Sequence, residues 1–143
     1  VLPANFLRNL RPDQFAAIEP TLMGGLSPQQ ARAVPATAWA AITKNQIAAL
    51  QPSAFAVMTA PQTAALPTEA ASGVGGWQLP AVAPGPFGAL RPDFLGALDP
   101  AVFATATVLQ LRGLPKLTVR DLPASHIRVL DQQQRQALGL PAE

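Results

Sequence analysis

Large apolar residues recur along this chain with a period of eight. Leu10, Ile18, Leu26, Val34, Ile42, Leu50, Met58, Leu66, Val74, Val82, Leu90, Leu98, Leu114, Leu122, Leu130 and Leu138 share one phase of the pattern, and only Ala106 departs from it. With Pro12, Pro20 and Pro28 taken as position 1, these residues are position 7 of an octad. A second large apolar residue stands at position 4, as at Phe15, Trp39, Phe55, Phe87 and Phe103, while Ala or Gly dominates position 6. Spacings of three and five alternate, so the two-residue rhythm of a strand fails, whereas three apart is a helical neighbour pair. The phase persists even through "ASGVGG", residues 71–76.

The prolines mark where helices begin. Inside a helix a proline costs about 3 kcal/mol or more. At the first helical position it costs nothing, because the N–H it lacks has no partner there. Position 8, just before it, supplies Ser27, Thr43, Thr59, Asp99, Thr107 and Asp131, all good N-caps. The pattern predicts a new helix of about six residues in every octad. Helices shorter than roughly 12–15 residues do not persist alone in water, so these must stack positions 4 and 7 on their neighbours. The expected fold is all-α, a solenoid of very short helices forming one domain over residues 1–143. A Gly/Pro-rich section at 72–90 is expected to be irregular.

A period of sixteen lies over the period of eight. Position 3 is Gln14, Gln30, Gln46, Gln62, Gln78 and Gln110 in alternate octads, with Phe94 and His126 as departures. Ser27 with Gln30, Thr43 with Gln46, Thr59 with Gln62 and Thr107 with Gln110 read as capping boxes, the glutamine reaching back to the cap N–H. Trp39, Phe55, Phe87 and Phe103 lie in the octads between. Two alternating octad types predict two helices, or sixteen residues, per turn and a narrow rod of roughly nine turns.

Composition acts mainly by exclusion. Charged residues are 13% of the chain, about half the usual share. A net charge of +2 argues against nucleic acid as a partner. Without cysteine there is no disulfide framework and no thiolate metal site. No run of about 18 apolar residues offers a membrane span. His126 is the sole histidine; a Ser–His pair adjacent in sequence, here Ser125–His126, lacks the third group that would orient the base. It occupies the glutamine slot, so a helix-start role is expected. "GVGGWQ", residues 73–78, lacks the spacing of a phosphate loop. No catalytic residue, metal site, cofactor or small-molecule substrate emerges. The chain opens mid-pattern on "VLPANFL", and is expected to be a fragment or processed piece of a longer one.

Charge is unevenly placed. From Asn45 to Leu90 only Glu69 is charged, while Arg112, Lys116, Arg120, Arg128 and Arg135 gather toward the C-terminus. A bare surface of this kind tends to be covered by a partner or by copies of the same chain. The expected interaction surface is this middle section, with Trp77 at position 2 as its anchor and Ala56 and Gln62 as outward slots. The expected partner is a protein or a second copy.

Runs such as "SPQQARAV", "KNQIAALQP" and "RPDFLGALDP" resemble the tandem "LTPxQ(L/I)AAL" repeats of large bacterial secreted and surface proteins. They are more distantly similar to the mesothelin-like superhelical repeats of animal cell-surface proteins. The resemblance implies an extracellular or envelope-associated structural or adhesive role and brings no catalytic residues. The frequent position 8 prolines and "GVGGWQLPAVAPGPFGAL" depart from the family pattern. Three roles are compatible: a structural or adhesive module, a subunit of a head-to-tail filament, and a scaffold that binds a peptide or protein along its flank.

Overall fold

The computed structural model describes residues 4–141. Among the described residues it is all-helical, with one short helix in each octad and no strand. The α-helices run for four to six residues, as in Pro20–Met23 and Pro28–Ala33. Position 8 is extended at nearly every corner, for example Ser27 (φ −75°, ψ 162°) and Thr59 (φ −87°, ψ 164°). One extended residue followed by a helix-starting proline therefore turns the chain at each corner.

The capping boxes form as the spacing predicts. Gln30, Gln46, Gln62 and Gln110 each accept from the N–H of Ser27, Thr43, Thr59 and Thr107 at 2.8–3.0 Å, and their own N–H groups donate back to the cap hydroxyls. A further box, Asp131 with Gln134, lies in the last octad. The core is also as patterned. Position 7 is buried at every octad from Leu26 to Leu138, and position 4 is fully enclosed at Phe15, Trp39, Phe87 and Phe103. Phe15 and Trp39 meet edge to face with centroids 5.2 Å apart. Position 3 is a third inward slot, filled by Ala38, Ala54, Ala70, Phe94, Thr118 and the glutamines. Across many octads positions 3 and 4 share one volume: Ala38–Trp39 and Ala54–Phe55 alternate with Gln46–Ile47 and Gln62–Thr63. A small residue beside an aromatic thus alternates with a glutamine beside a smaller partner, which keeps the interior evenly filled.

The winding differs from the expected sixteen residues per turn. Elements pack on those three octads later, not two, as Pro12–Ala16 does on Ala36–Trp39 and Lys44–Ala49 on Thr68–Gly73. The chain therefore makes three walls. The first carries Ala4–Arg8, Pro28–Ala33, Pro52–Ala56, Leu79–Ala81, Pro100–Phe103 and Ala124–Arg128. The second carries Pro12–Ala16, Ala36–Trp39, Ala60–Ala64, Pro84–Gly88, Val108–Arg112 and Gln132–Ala137. The third carries Pro20–Met23, Lys44–Ala49, Thr68–Gly73, Pro92–Ala97 and Lys116–Arg120. A turn is 24 residues, and the rod has about six layers rather than nine. The physical reason is the third inward slot. With positions 3, 4 and 7 all buried, each helix needs neighbours across the axis as well as above and below, and three walls around one axis provide them. The surface area agrees: 7161 Å² is close to the roughly 7,000 Å² of a compact protein of this mass, as a thick rod would have.

Small residues set the distance between layers. A Cβ on Gly73 would lie 2.1 Å from the carbonyl oxygen of Lys44, one turn earlier. One on Gly88 would lie 2.9 Å from that of Gly113, one turn later. The irregular section is shorter than 72–90. It comprises 3-10 turns at Thr68–Gly73 and Leu79–Ala81, while Pro84–Gly88 is an ordinary α-helix. In the second of these turns Pro80 falls at position 5, where its missing N–H and its ring break the helical ladder.

Candidate interaction surface

The side chains that invite a functional reading face inward. Each buried glutamine continues past its cap to the backbone four octads earlier. Gln46 Nε2 donates to the carbonyls of Phe15 and Ile18, both at 2.8 Å. Gln62 Nε2 lies 3.1 Å from Ala31 O, 3.1 Å from Arg32 O and 2.8 Å from Val34 O. Gln78 reaches Ile47 and Leu50, Gln110 reaches Leu79 and Val82, and Gln134 reaches Ala104 and Ala106. These carbonyls end their short helices; those at position 4 already take the position 7 N–H of their own octad, as Phe15 O does from Ile18 and Ile47 O from Leu50, and the carboxamide fills the remaining lone pair. The carboxamide, with acceptor and donors on one head, closes a helix start and a distant helix end together.

The two departures from glutamine are also accommodated. At His126, 2% exposed, Nε2 lies 3.0 Å from Leu95 O, four octads back, and must donate because a carbonyl only accepts. Its ring stacks obliquely on Phe103 at 5.0 Å. Ser125 Oγ is 3.4 Å from Nδ1. His126 therefore bridges layers but does not take the helix-start role expected of it, because the cap residue here is Pro123, which has no N–H for it to accept. Phe94 cannot donate, and the guanidinium of Arg91, three residues before it, reaches Leu66 O at 2.7 Å instead. Sequence reasoning missed Gln134, although its signal, a cap at Asp131 with Gln three residues on, was present. It also missed the role of Arg91, which no local pattern reveals.

The expected surface residues divide. Trp77 is 56% exposed, and Ala56 is exposed. Gln62 is only 4% exposed and fully engaged inside, so it is not an outward slot. The reason is that position 3 points at the axis. Trp77 is backed by Gly75, where a Cβ would fall 2.6 Å from the indole Cδ1. Glycine there leaves room for the ring to lie against the backbone.

The walls sort the charges more sharply than the sequence does. Three successive helices of the first wall (52–56, 79–81, 100–103) and three of the second, one layer earlier (36–39, 60–64, 84–88), carry no charged residue. The third carries Lys44, Glu69, Asp93, Lys116 and Arg120. Arg112, Arg120 and Arg128, all at position 5, fall on three different walls, so the basic residues form a collar and not a patch. An apolar concavity of about 240 Å³ lies beside Ile18, Leu22, Met23 and Leu26 near the first turn. Among the described residues no cluster of His, Asp and Glu could hold a metal ion, and no helix is long and apolar enough to cross a membrane. No family model, curated protein or solved structure matches the chain.

Proposed function

We propose that this chain is a non-enzymatic structural or adhesive rod of a bacterial surface or extracellular protein, acting through its walls. One observation carries the reading: the buried glutamines and the histidine of the interior are used by the coil itself. Gln46, Gln62, Gln78, Gln110, His126 and Gln134 all bond to backbone carbonyls four octads away. What remains for a partner is an exterior rich in Ala, Gly, Pro, Ser and Thr, with Trp77, Leu109 and Leu117 exposed on it and charges mostly toward its ends. That exterior suits a spacer or a contact surface.

The filament reading has one observation in its favour. Phe6 and Leu22 are exposed at the first turn, 45% and 62%, as if ready for another layer. Against it, the last described octad closes differently from the others. Gly139 is left-handed (φ 79°) and the N–H of Leu140 takes the carbonyl of Arg135, so the corner geometry that starts a new octad is lost. Electron microscopy at rising concentration separates the two, because long fibres would overturn the spacer reading. Antibody labelling of intact source cells tests the location. Signal that appears only after permeabilisation would reject a surface role.

A further inference from the structure

We infer that a hollow at the corner between the second and third walls binds a short peptide through its free amino and carboxyl ends. The inference goes beyond the structural role of the rod. It stands or falls on binding in solution, whereas the rod reading stands or falls on microscopy and cell labelling.

The hollow, about 550 Å³, lies where Lys44–Ala49 and Thr68–Gly73 stack as successive layers of the third wall. Its size falls within the roughly 300–1,000 Å³ of small-ligand sites. Between Arg32 and Arg91 the chain has only two charged residues, Lys44 and Glu69. The three-walled winding brings both to this hollow, one from each layer. Both are exposed, and neither forms an ion pair with any described residue. Closing such a pair gains little, because it fixes two long side chains in one geometry. A ligand that carries both signs meets the two charges where they stand.

A backbone acceptor selects a peptide over a single amino acid. Ile42 lines the same hollow and is 3% exposed. The position 7 carbonyls of Val34, Leu50 and Val82 are taken by Gln62, Gln78 and Gln110. The slot that would serve Ile42 is Ala70, and the Ile42 carbonyl takes no donor among the described residues. An enclosed acceptor is costly to leave open, and a peptide N–H supplies the missing donor. Ser72 brings a hydroxyl that has no hydrogen bond of its own, while Ala41 and Pro67 give small apolar surface. Length follows from the layers. They lie about 9 Å apart, and two to three extended residues span about 7–10 Å. Lys44 takes the carboxylate and Glu69 the ammonium. Asp93, at the same position as Glu69 one layer on, adds negative charge on the ammonium side.

Titration of the full chain with triglycine tests the site. Nuclear magnetic resonance of the backbone amides reads it, at about pH 6.5 where both peptide ends are charged. Triglycine should bind with a Kd of about 1–10 mM, weak because its ion pairs are exposed. The amides of Ala41, Glu69 and Ser72 should shift most. N-acetyl-triglycine and triglycine amide each lack one charge and should bind about three- to fivefold more weakly. Lys44→Gln should erase the preference for triglycine over its amide and keep the preference over the acetylated form. Glu69→Gln should do the reverse, and Arg128→Gln, on the first wall, should keep both. A Kd above about 50 mM, equal binding of the three peptides, or shifts centred elsewhere would each overturn the inference. Those three outcomes are read on the wild type and do not depend on how the variants fold. Preferences unchanged in both Lys44→Gln and Glu69→Gln would overturn it as well.

Discussion

Gln62→Glu separates two roles that one side chain holds at once. The cap role needs only an acceptor: Oε1 takes the N–H of Thr59 at 2.9 Å, and glutamate is as good as glutamine in a capping box. The bridging role needs donors, and a carboxylate has none. In the variant the carbonyls of Ala31, Arg32 and Val34 would face an oxygen anion in a site that is 4% exposed. A carboxamide has two hydrogens, so two good donated bonds are lost, at about 1 kcal/mol each. Burying the carboxylate against three carbonyls adds about 1–3 kcal/mol more, limited by the group taking up a proton instead. The expected cost at pH 7 is about 3–5 kcal/mol, a large part of the roughly 7–20 kcal/mol available to a chain of this size. Urea denaturation followed by far-ultraviolet circular dichroism reads it directly. The sign with pH follows from the introduced carboxyl, whose folded-state pKa lies above its unfolded one. The folded variant binds the extra proton, so its deficit should shrink as pH falls from 7 toward 4. Gln14→Glu is the control, because Gln14 accepts from Arg11 N at 2.9 Å near the first turn and is only half-buried; it should stay within about 0.5 kcal/mol of wild type. If Gln62→Glu is as stable as wild type at pH 7, the bridging role is wrong and only the cap remains.

Three further outcomes are expected. Six layers of about 9 Å make a rod of about 55 Å, whose radius of gyration is about 17–18 Å. Small-angle scattering from the monomer should return that value, against about 14.5 Å for a globule, and a value above about 20 Å would restore the thinner coil of two helices per turn. Gly73→Ala should destabilise by at least about 1–3 kcal/mol, because its Cβ would meet the Lys44 carbonyl oxygen. Gly85→Ala, which meets nothing within 4 Å, should be neutral or gain up to about 1 kcal/mol; thermal melts of the two variants that moved together would refute the layer spacing. Leu50→Asp places a carboxylate at a fully buried position 7 and should cost several kcal/mol. An unchanged denaturation midpoint would remove position 7 from the core.

Local rules account for what was legible in the chain. Caps, first-turn prolines and the three-residue helical spacing act within one octad, so the helix starts, their length and the buried positions 4 and 7 could be read without any fold. Ser27–Gln30 and Thr107–Gln110 pair as their spacing predicts because a capping box is complete within four residues. The number of helices per turn is not a local quantity. It depends on how far the chain turns at each corner and on which helix comes to rest on which, and only packing decides that. The sixteen-residue alternation was misleading for a definite reason. It records a glutamine that reaches four octads back, an even number, so donors and the carbonyls they meet fall mostly in the same alternating set, whatever the number of walls. Tertiary structure alone turned Gln62 inward, brought Arg91 to Leu66, and set Lys44 and Glu69 at one hollow. Those relations join residues 25 or more apart, and at that distance it is the stacking of layers, with its close backbone approach at Gly73 and Gly88, that sets which residues meet.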